Sequence, residues 1–394
     1  MKNNFARLGA CAIAAAVLFT GCGAINPDAK LVEITNDGTT DSISLGYGNF
    51  VARYTQALYD TYYGTYLSDD MWSEDLYGNG NTMEVDTKQE VMDGMEEEYL
   101  CKLHAEDYGV VLGDDVTEEV ETAAEAFMSD NEKDALEEMG ATQEYVAELL
   151  TYRTYAAKVR EKIEEEAEGK IEISDDEINQ STFSYVKLET STTDDEGNTT
   201  ELSAEEISAL AQTAYYISKS SDFDAAVEAA GLTASTQSFT TAEDPAEDGS
   251  MAEEIIATAQ GLSEGEISNV IEVDGEGYYV LRMDKTFDEE ATAEKKTEVH
   301  DEKVDEYYDG VLEEWKAAIT WTVDEKQWEK VTYDTLFTAA ESEEATEDTS
   351  TETEETTDTS SESTEETSED TSTETEEATE TAEDTTEEAS TDNQ

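Results

Sequence analysis

The stretch from Met251 to Met283 reads MAEEIIATAQGLSEGEISNVIEVDGEGYYVLRM. Gly265-Glu266-Ile267-Ser268 and Val270-Ile271 lead into Gly275 and Gly277. The run Tyr278–Met283 then follows, aromatic and aliphatic, as a strand leaving a glycine-bearing turn. Upstream, Phe183-Ser184-Tyr185-Val186-Lys187-Leu188 reads as another strand, with helices expected between the two at about 204–219 and 223–230. Ser174-Asp175-Asp176-Glu177 carries a capping hydroxyl followed by first-turn carboxylates, which marks a helix start. Strand, helices, strand and glycine turns predict a compact α+β domain over residues 174–286.

Both flanks of this domain read as helical. Phe50, Tyr54, Leu58 and Tyr62 recur every four positions in residues 46–66, and Val91, Met95, Tyr99 and Leu103 do the same in 87–108. A turn-rich stretch, 69–81, separates them, and a third helix is expected over 117–128. Thr142 is placed to cap a long helix whose Tyr145, Leu149, Tyr152, Ala156, Val159 and Ile163 alternate steps of three and four. After the α+β domain, Val304, Tyr308, Val311, Leu312, Trp315 and Ile319 form one more apolar stripe, followed by Trp321, Trp328 and Tyr333. A stripe of that size on a lone helix would stand in water, so it needs a partner. The earlier helices supply one. Residues 43–173 and 287–338 are therefore expected to form one helical lobe interrupted by the domain at 174–286.

The ends have different characters. Lys2 and Arg7 precede an apolar run from Leu8 to Phe19 that is too short to span a bilayer and has the length of a signal-peptide core. It closes in Leu18-Phe19-Thr20-Gly21-Cys22, which resembles a bacterial lipobox; the resemblance implies removal of residues 1–21 and a diacylglyceryl group on Cys22. Residues 22–42 are expected to be a polar tether. From Glu341 onward, 23 of 54 residues are acidic, with Ser, Thr and Ala filling most of the rest. Such a chain buries too little apolar surface to offset its conformational entropy, so residues 339–394 are expected to be disordered.

Composition removes whole classes of function. A net charge of −79 is incompatible with nucleic-acid binding, which rests on Lys and Arg at phosphates. With Cys11 lost to processing and Cys22 lipidated, Cys101 has no intrachain disulfide partner. His104 and His300 are the only histidines and lack ligand-like spacing, so no metal site, histidine triad or cofactor is expected.

The residues quoted above resemble the parvulin-type, PpiC-like peptidyl-prolyl isomerase domain of the PrsA/SurA foldase family. Met251, the alanine-rich segment Ala257–Ala259, Leu262, Gly265-Glu266-Ile267-Ser268, Val270-Ile271, Gly277 and Tyr278-Tyr279-Val280-Leu281 carry the resemblance, with Phe287-Asp288-Glu289-Glu290-Ala291 following as in relatives from Gram-positive anaerobes. It implies an α+β multidomain protein: a helical SurA-N-like chaperone lobe, a parvulin-like insert and the acidic tail. It also implies a lipid-anchored foldase on the extracytoplasmic face of a Gram-positive cell membrane. The partners so implied are unfolded or nascent exported proteins, with a homodimer left open.

Parvulins set two histidines beside a proline pocket made largely by a Met and a Phe. By the resemblance, Tyr185 and Tyr279 fall at the histidine positions, Met251 keeps the pocket Met, and Ile255 stands where the Phe belongs. Those four residues are the candidate catalytic positions. Two readings stay open: tyrosine hydroxyls substituting for imidazoles, or tyrosines packed in a core that has lost the activity. A structural or wall-polymer-binding envelope lipoprotein is the competing class. A two-lobed solute-binding lipoprotein is disfavoured, because its βαβ runs are absent.

Overall fold

The computed structural model describes residues 13–15, 25–64, 70–193 and 199–339. Cys22 and the acidic tail from residue 340 onward lie outside them. In chain order the elements are β1 (Ile13–Ala15), β2 (Lys30–Asn36), β3 (Thr39–Ser44), α1 (Leu45–Tyr63), α2 (Met83–Leu103), α3 (Asp114–Asp130), α4 (Lys133–Met139) and α5 (Gln143–Ala167). Next come α6 (Asp175–Ile178), β4 (Gln180–Glu189), β5 (Ser191–Thr193), β6 (Thr199–Glu201), α7 (Ala204–Ser218), α8 (Phe223–Ala229), β7 (Ser235–Thr240), α9 (Pro245–Asp248), α10 (Glu253–Gln260), β8 (Ile271–Val273) and β9 (Gly277–Lys285). The series closes with α11 (Glu289–Ala318), β10 (Thr320–Val323), α12 (Glu325–Trp328) and β11 (Phe337–Ala339). No described helix is long and apolar enough to cross a membrane.

Helix starts follow local chemistry. The Thr142 hydroxyl accepts from the Tyr145 amide at 3.1 Å, and Ser44 does the same for Tyr47 at 3.1 Å. Ser174 and Glu177 close a capping box at α6, as do Ser203 and Glu206 at α7. The apolar stripe of α5 is buried as its periodicity predicts, with Val159 and Ile163 fully enclosed. Two other stripes run off the core. Tyr62 is 65% exposed and Leu103 38% exposed. A spacing of four overshoots the 3.6-residue turn by about 40° per step, so the last member of each series has rotated toward solvent.

The helical lobe holds more strand than its sequence suggests. Residues expected to be tether form the β2–β3 hairpin, and β10 adds to β2 with Trp321 opposite Ile34, giving a three-stranded antiparallel sheet in the order β10-β2-β3. The tether therefore ends before Lys30. Its strand character was masked because Thr39, Thr40, Asp41 and Ser42 of β3 all face solvent, leaving no apolar alternation to read. Helix α4, which buries Ala135, Leu136 and Met139, was also missed. Within the segment expected to be signal peptide, β1 pairs antiparallel with β11, Ile13 opposite Ala339.

Segments before and after the α+β domain share one core. Leu31, Ile34, Phe50, Trp72, Val91 and Leu149 pack with Trp328, Val331, Tyr333 and Phe337. A second cluster joins Cys101, Val159 and Ile163 to Tyr308 and Leu312 of α11. The Cys101 sulfur lies 3.6 Å from the Tyr308 hydroxyl, and burial pushes its thiol up to about 11. It is the free cysteine of the described residues, a packed group with no nucleophilic character. His104 stacks on Trp315 with ring centroids 4.3 Å apart.

The α+β domain has its own two clusters, one on each face of an antiparallel sheet of order β7-β4-β9-β8. Val186, Leu188 and Val280 pack under α7 and α8 on one side; Phe183, Leu281 and Met283 pack under α10 on the other. The edge strand β7 was not anticipated, since it carries mostly Ser, Thr and Gln. Gly277 has φ +134° and lies against the Leu188 carbonyl, so any side chain there would collide with backbone. The Gly265–Ser268 stretch runs along β9: Gly265 donates to the Met283 carbonyl at 2.7 Å, and Ser268 to the Leu281 carbonyl at 2.9 Å.

Candidate active site

Strands β4 and β9 are direct neighbours, with Tyr185 opposite Leu281 and Lys187 opposite Tyr279. Strand side chains alternate faces, so Tyr185, Lys187, Tyr279 and Leu281 share the face that α10 covers. There the structure brings the four expected positions into one apolar cluster. Ile255 and Tyr279 are buried, while Tyr185 and Met251 are half-buried and pack against them. The Tyr185 and Tyr279 rings lie 6.1 Å apart and tilted, and Phe183 continues the row 6.0 Å from Tyr185 and 5.8 Å from Phe239.

The polar tip of Tyr279 is already engaged. Its hydroxyl donates to the Glu276 carboxylate in the β8–β9 turn. Lys187 joins them, its ammonium 3.3 Å from Glu276, 3.4 Å from Glu189 and 5.8 Å from the Tyr279 ring centroid. Burial, then the carboxylate, push the Tyr279 hydroxyl up to about 12, and the same bond holds Glu276 below the usual carboxylate range. At neutral pH the pair is thus a protonated phenol donating to an ionised carboxylate. Lys187 and Glu276 were not picked out from the sequence. The period-two pattern of β4 was the available signal for Lys187, since it places that residue on the same face as Tyr185.

The four positions form a packed apolar cluster in which Ile255 and Tyr279 are enclosed and Met251 and Tyr185 lie at its margin. Prolyl isomerisation needs no bond cleavage, only tighter binding of the twisted amide than of the planar one. Among the described residues no set of three or more His, Cys, Asp or Glu is placed to hold a metal ion.

The model of a family described as the PPIC-type PPIase domain matches residues 185–301. Residues 185–301 are thus similar to a PPIC-type PPIase domain. This match starts at Tyr185 on β4 and runs into α11, so it spans every pocket position named above. Solved structures similar to this chain include the foldase protein PrsA from Streptococcus pneumoniae str. Canada MDR_19A, at 13% identity over 55% of this chain and 77% of that one, with a TM-score of 0.23. The peptidylprolyl isomerase PrsA from Bacillus cereus is similar at 15% identity, over 66% of this chain and 97% of its own, with a TM-score of 0.26. A SurA-like chaperone of Campylobacter jejuni is similar at 15% identity, over 60% and 88%, with a TM-score of 0.22. No curated protein matched. Both tyrosines expected at the histidine positions lie within the matched span, and one of them, Tyr279, is tied to Glu276.

Proposed function

We propose that this protein is a lipid-anchored, extracytoplasmic foldase that holds unfolded exported polypeptides, with a PPIC-type domain that retains a binding surface but little isomerase activity. The observation that carries the reading is the PPIC-type match lying inside a helical lobe whose two halves share one core. A reactive constellation is not needed for holding a client; exposed apolar surface and tolerance of many sequences are. Weak isomerisation follows from the pocket. Tyr279 spends its hydroxyl on Glu276, and Ile255 packs an aliphatic side chain where the resemblance expects an aromatic one.

The anchoring half of the reading rests on Leu18–Cys22, which ends the apolar run as a lipobox does. The test of the whole pairs two assays on the mature chain. Light scattering of an aggregating client should fall when the protein is present. A protease-coupled proline-peptide assay should run close to the uncatalysed rate, which has a time constant of about 10–100 s at 25 °C. Undiminished aggregation at equimolar protein would remove the foldase reading.

A further inference from the structure

The C-terminal end of α1 carries aromatic side chains that the lobe does not cover. Tyr62, Tyr63 and Tyr77 are 65%, 50% and 59% exposed. Tyr63 is the outer end of an aromatic row that begins in the core, and Tyr62 follows Leu58 on the neighbouring side of α1. Tyr333 lies 4.6 Å from Trp72, Trp72 lies 5.9 Å from Tyr59, and Tyr59 lies 5.7 Å from Tyr63, all as ring centroids. Tyr77 and Glu90 also neighbour Tyr59, with Glu90 in hydrogen-bonding reach of its hydroxyl. The turn that carries Tyr77 is held in place. Asp75 accepts from the amides of Asn79 and Gly80 at 3.1 and 2.9 Å, and Asp86 accepts from the side chains of Asn79 and Asn81 at 2.9 and 2.8 Å. The turn bearing Tyr77 is thereby fixed on the first turns of α2.

The surroundings are strongly anionic. Residues 70–93 carry seven carboxylates against one lysine, and that lysine, Lys88, is turned inward to the carbonyls of Trp328 and Val331 at 3.1 and 2.7 Å. Lys88 reaches only Glu84, at 3.9 Å, so apolar ring faces beside the remaining carboxylates complement one kind of ligand, an apolar chain segment bearing ammonium or guanidinium groups. The rings take its aliphatic and aromatic side chains, and ring faces with carboxylates take its cations. Exposed tyrosines of this sort also bind at low entropic cost, having few rotatable bonds.

We propose that the Tyr62/Tyr63/Tyr77 surface is the client-docking site of the helical lobe, and that its occupant is an unfolded polypeptide segment in which apolar residues alternate with Lys or Arg. The proposal rests on the foldase reading and adds to it the place and charge of the recognised segment.

The mature chain, residues 22–394, made with Cys22→Ser so that it carries no lipid and with its tail intact, is titrated into three labelled peptides of equal length: Phe/Leu alternating with Lys, Phe/Leu alternating with Glu, and Ser alternating with Lys. Fluorescence anisotropy is expected to show the Phe/Leu–Lys peptide binding at least about tenfold more tightly than either control. The Tyr63→Ser/Tyr77→Ser variant changes no charge and removes only exposed rings. It should keep its melting temperature and lose about three- to tenfold in affinity for that peptide. Equal affinity of wild type and variant would overturn the proposal, because attraction by the acidic tail alone would then explain the binding. So would equal affinity for the Lys and Glu peptides. A variant that binds like wild type while client aggregation is still suppressed puts the docking surface elsewhere and leaves the foldase reading standing. A wild type that suppresses no aggregation removes that reading itself.

Discussion

The hydroxyl of Tyr279 donates to the carboxylate of Glu276, across the turn that joins β8 to β9. A hydroxyl spent on a neighbouring side chain is not aimed at a substrate imide. Replacing both Tyr185 and Tyr279 with Phe should therefore change the proline-isomerisation rate less than about twofold and leave client holding intact. A robust rate in wild type that collapses in the double variant would make the tyrosines working substitutes for the family histidines.

Arg53 ties the C-terminal segment to α1. Its guanidinium donates to Gln56 at 2.5 Å, to the Thr332 carbonyl at 2.7 Å, to Glu138 at 2.9 Å and to the Thr335 carbonyl at 3.3 Å. Beside it Asp60, pushed up by burial, accepts from Trp72 at 2.8 Å and from the Phe337 amide at 3.0 Å. Arg53→Met should cost about 1–3 kcal/mol in urea unfolding, because it strands the Thr332 and Thr335 carbonyls and the Gln56 side-chain oxygen. A cost below about 1 kcal/mol would mean that the 332–337 segment is not clamped by this network.

Glu177 joins the α+β domain to α11. Lys303 meets it at 2.5 Å, and Ser174 donates to it from both its amide and its hydroxyl at 2.8 Å. Together, the Lys303 bond first, these hold the carboxyl at about 2, below the ordinary 4.5. An acid whose pKa is lowered on folding adds stability that is complete above its unfolded value and is lost as pH falls toward the folded one. The melting-temperature difference between wild type and Glu177→Gln should therefore be largest above about pH 5 and shrink to nothing near pH 2. A difference that persists unchanged at pH 2 would show that the charge is not its source.

Anchoring has a direct test. Cys22→Ala should leave the protein unlabelled by a radiolabelled fatty acid and unanchored or unprocessed in fractionated cells, while wild type takes up label and stays with the membrane. Equal labelling of both would remove the lipid anchor.

Much of the fold was legible where one element carries its own signal. The long stripe of α5 and its Thr142 cap are local, and both appear as read. The Gly265–Ser268 stretch and the strand after it were likewise readable, because a turn and a period-two run lie within one short window. What failed did so for identifiable reasons. The β2–β3 hairpin shows a polar outer strand, and β10, which completes its sheet, is almost three hundred residues away. Tyr62 belongs to an apolar repeat and yet is exposed, because the repeat drifts around α1. In the pocket, the residue types at positions 185, 251, 255 and 279 came from resemblance, whereas the bond between Tyr279 and Glu276 came from neither composition nor spacing.

The sequence by itself determined the helix caps, the helical and strand periods, the charge and the absence of a histidine constellation, because each depends on residues close in the chain or on a count. Only the tertiary structure decided that Thr320–Val323 pairs with Lys30–Asn36, that Cys101 meets Tyr308, and that the Tyr279 hydroxyl donates a hydrogen bond to Glu276. The first two hold because backbone pairing and close packing bring distant groups within a few ångströms, and the third because the β8–β9 turn folds Glu276 back onto Tyr279. Local sequence patterns carry no record of which distant groups will meet.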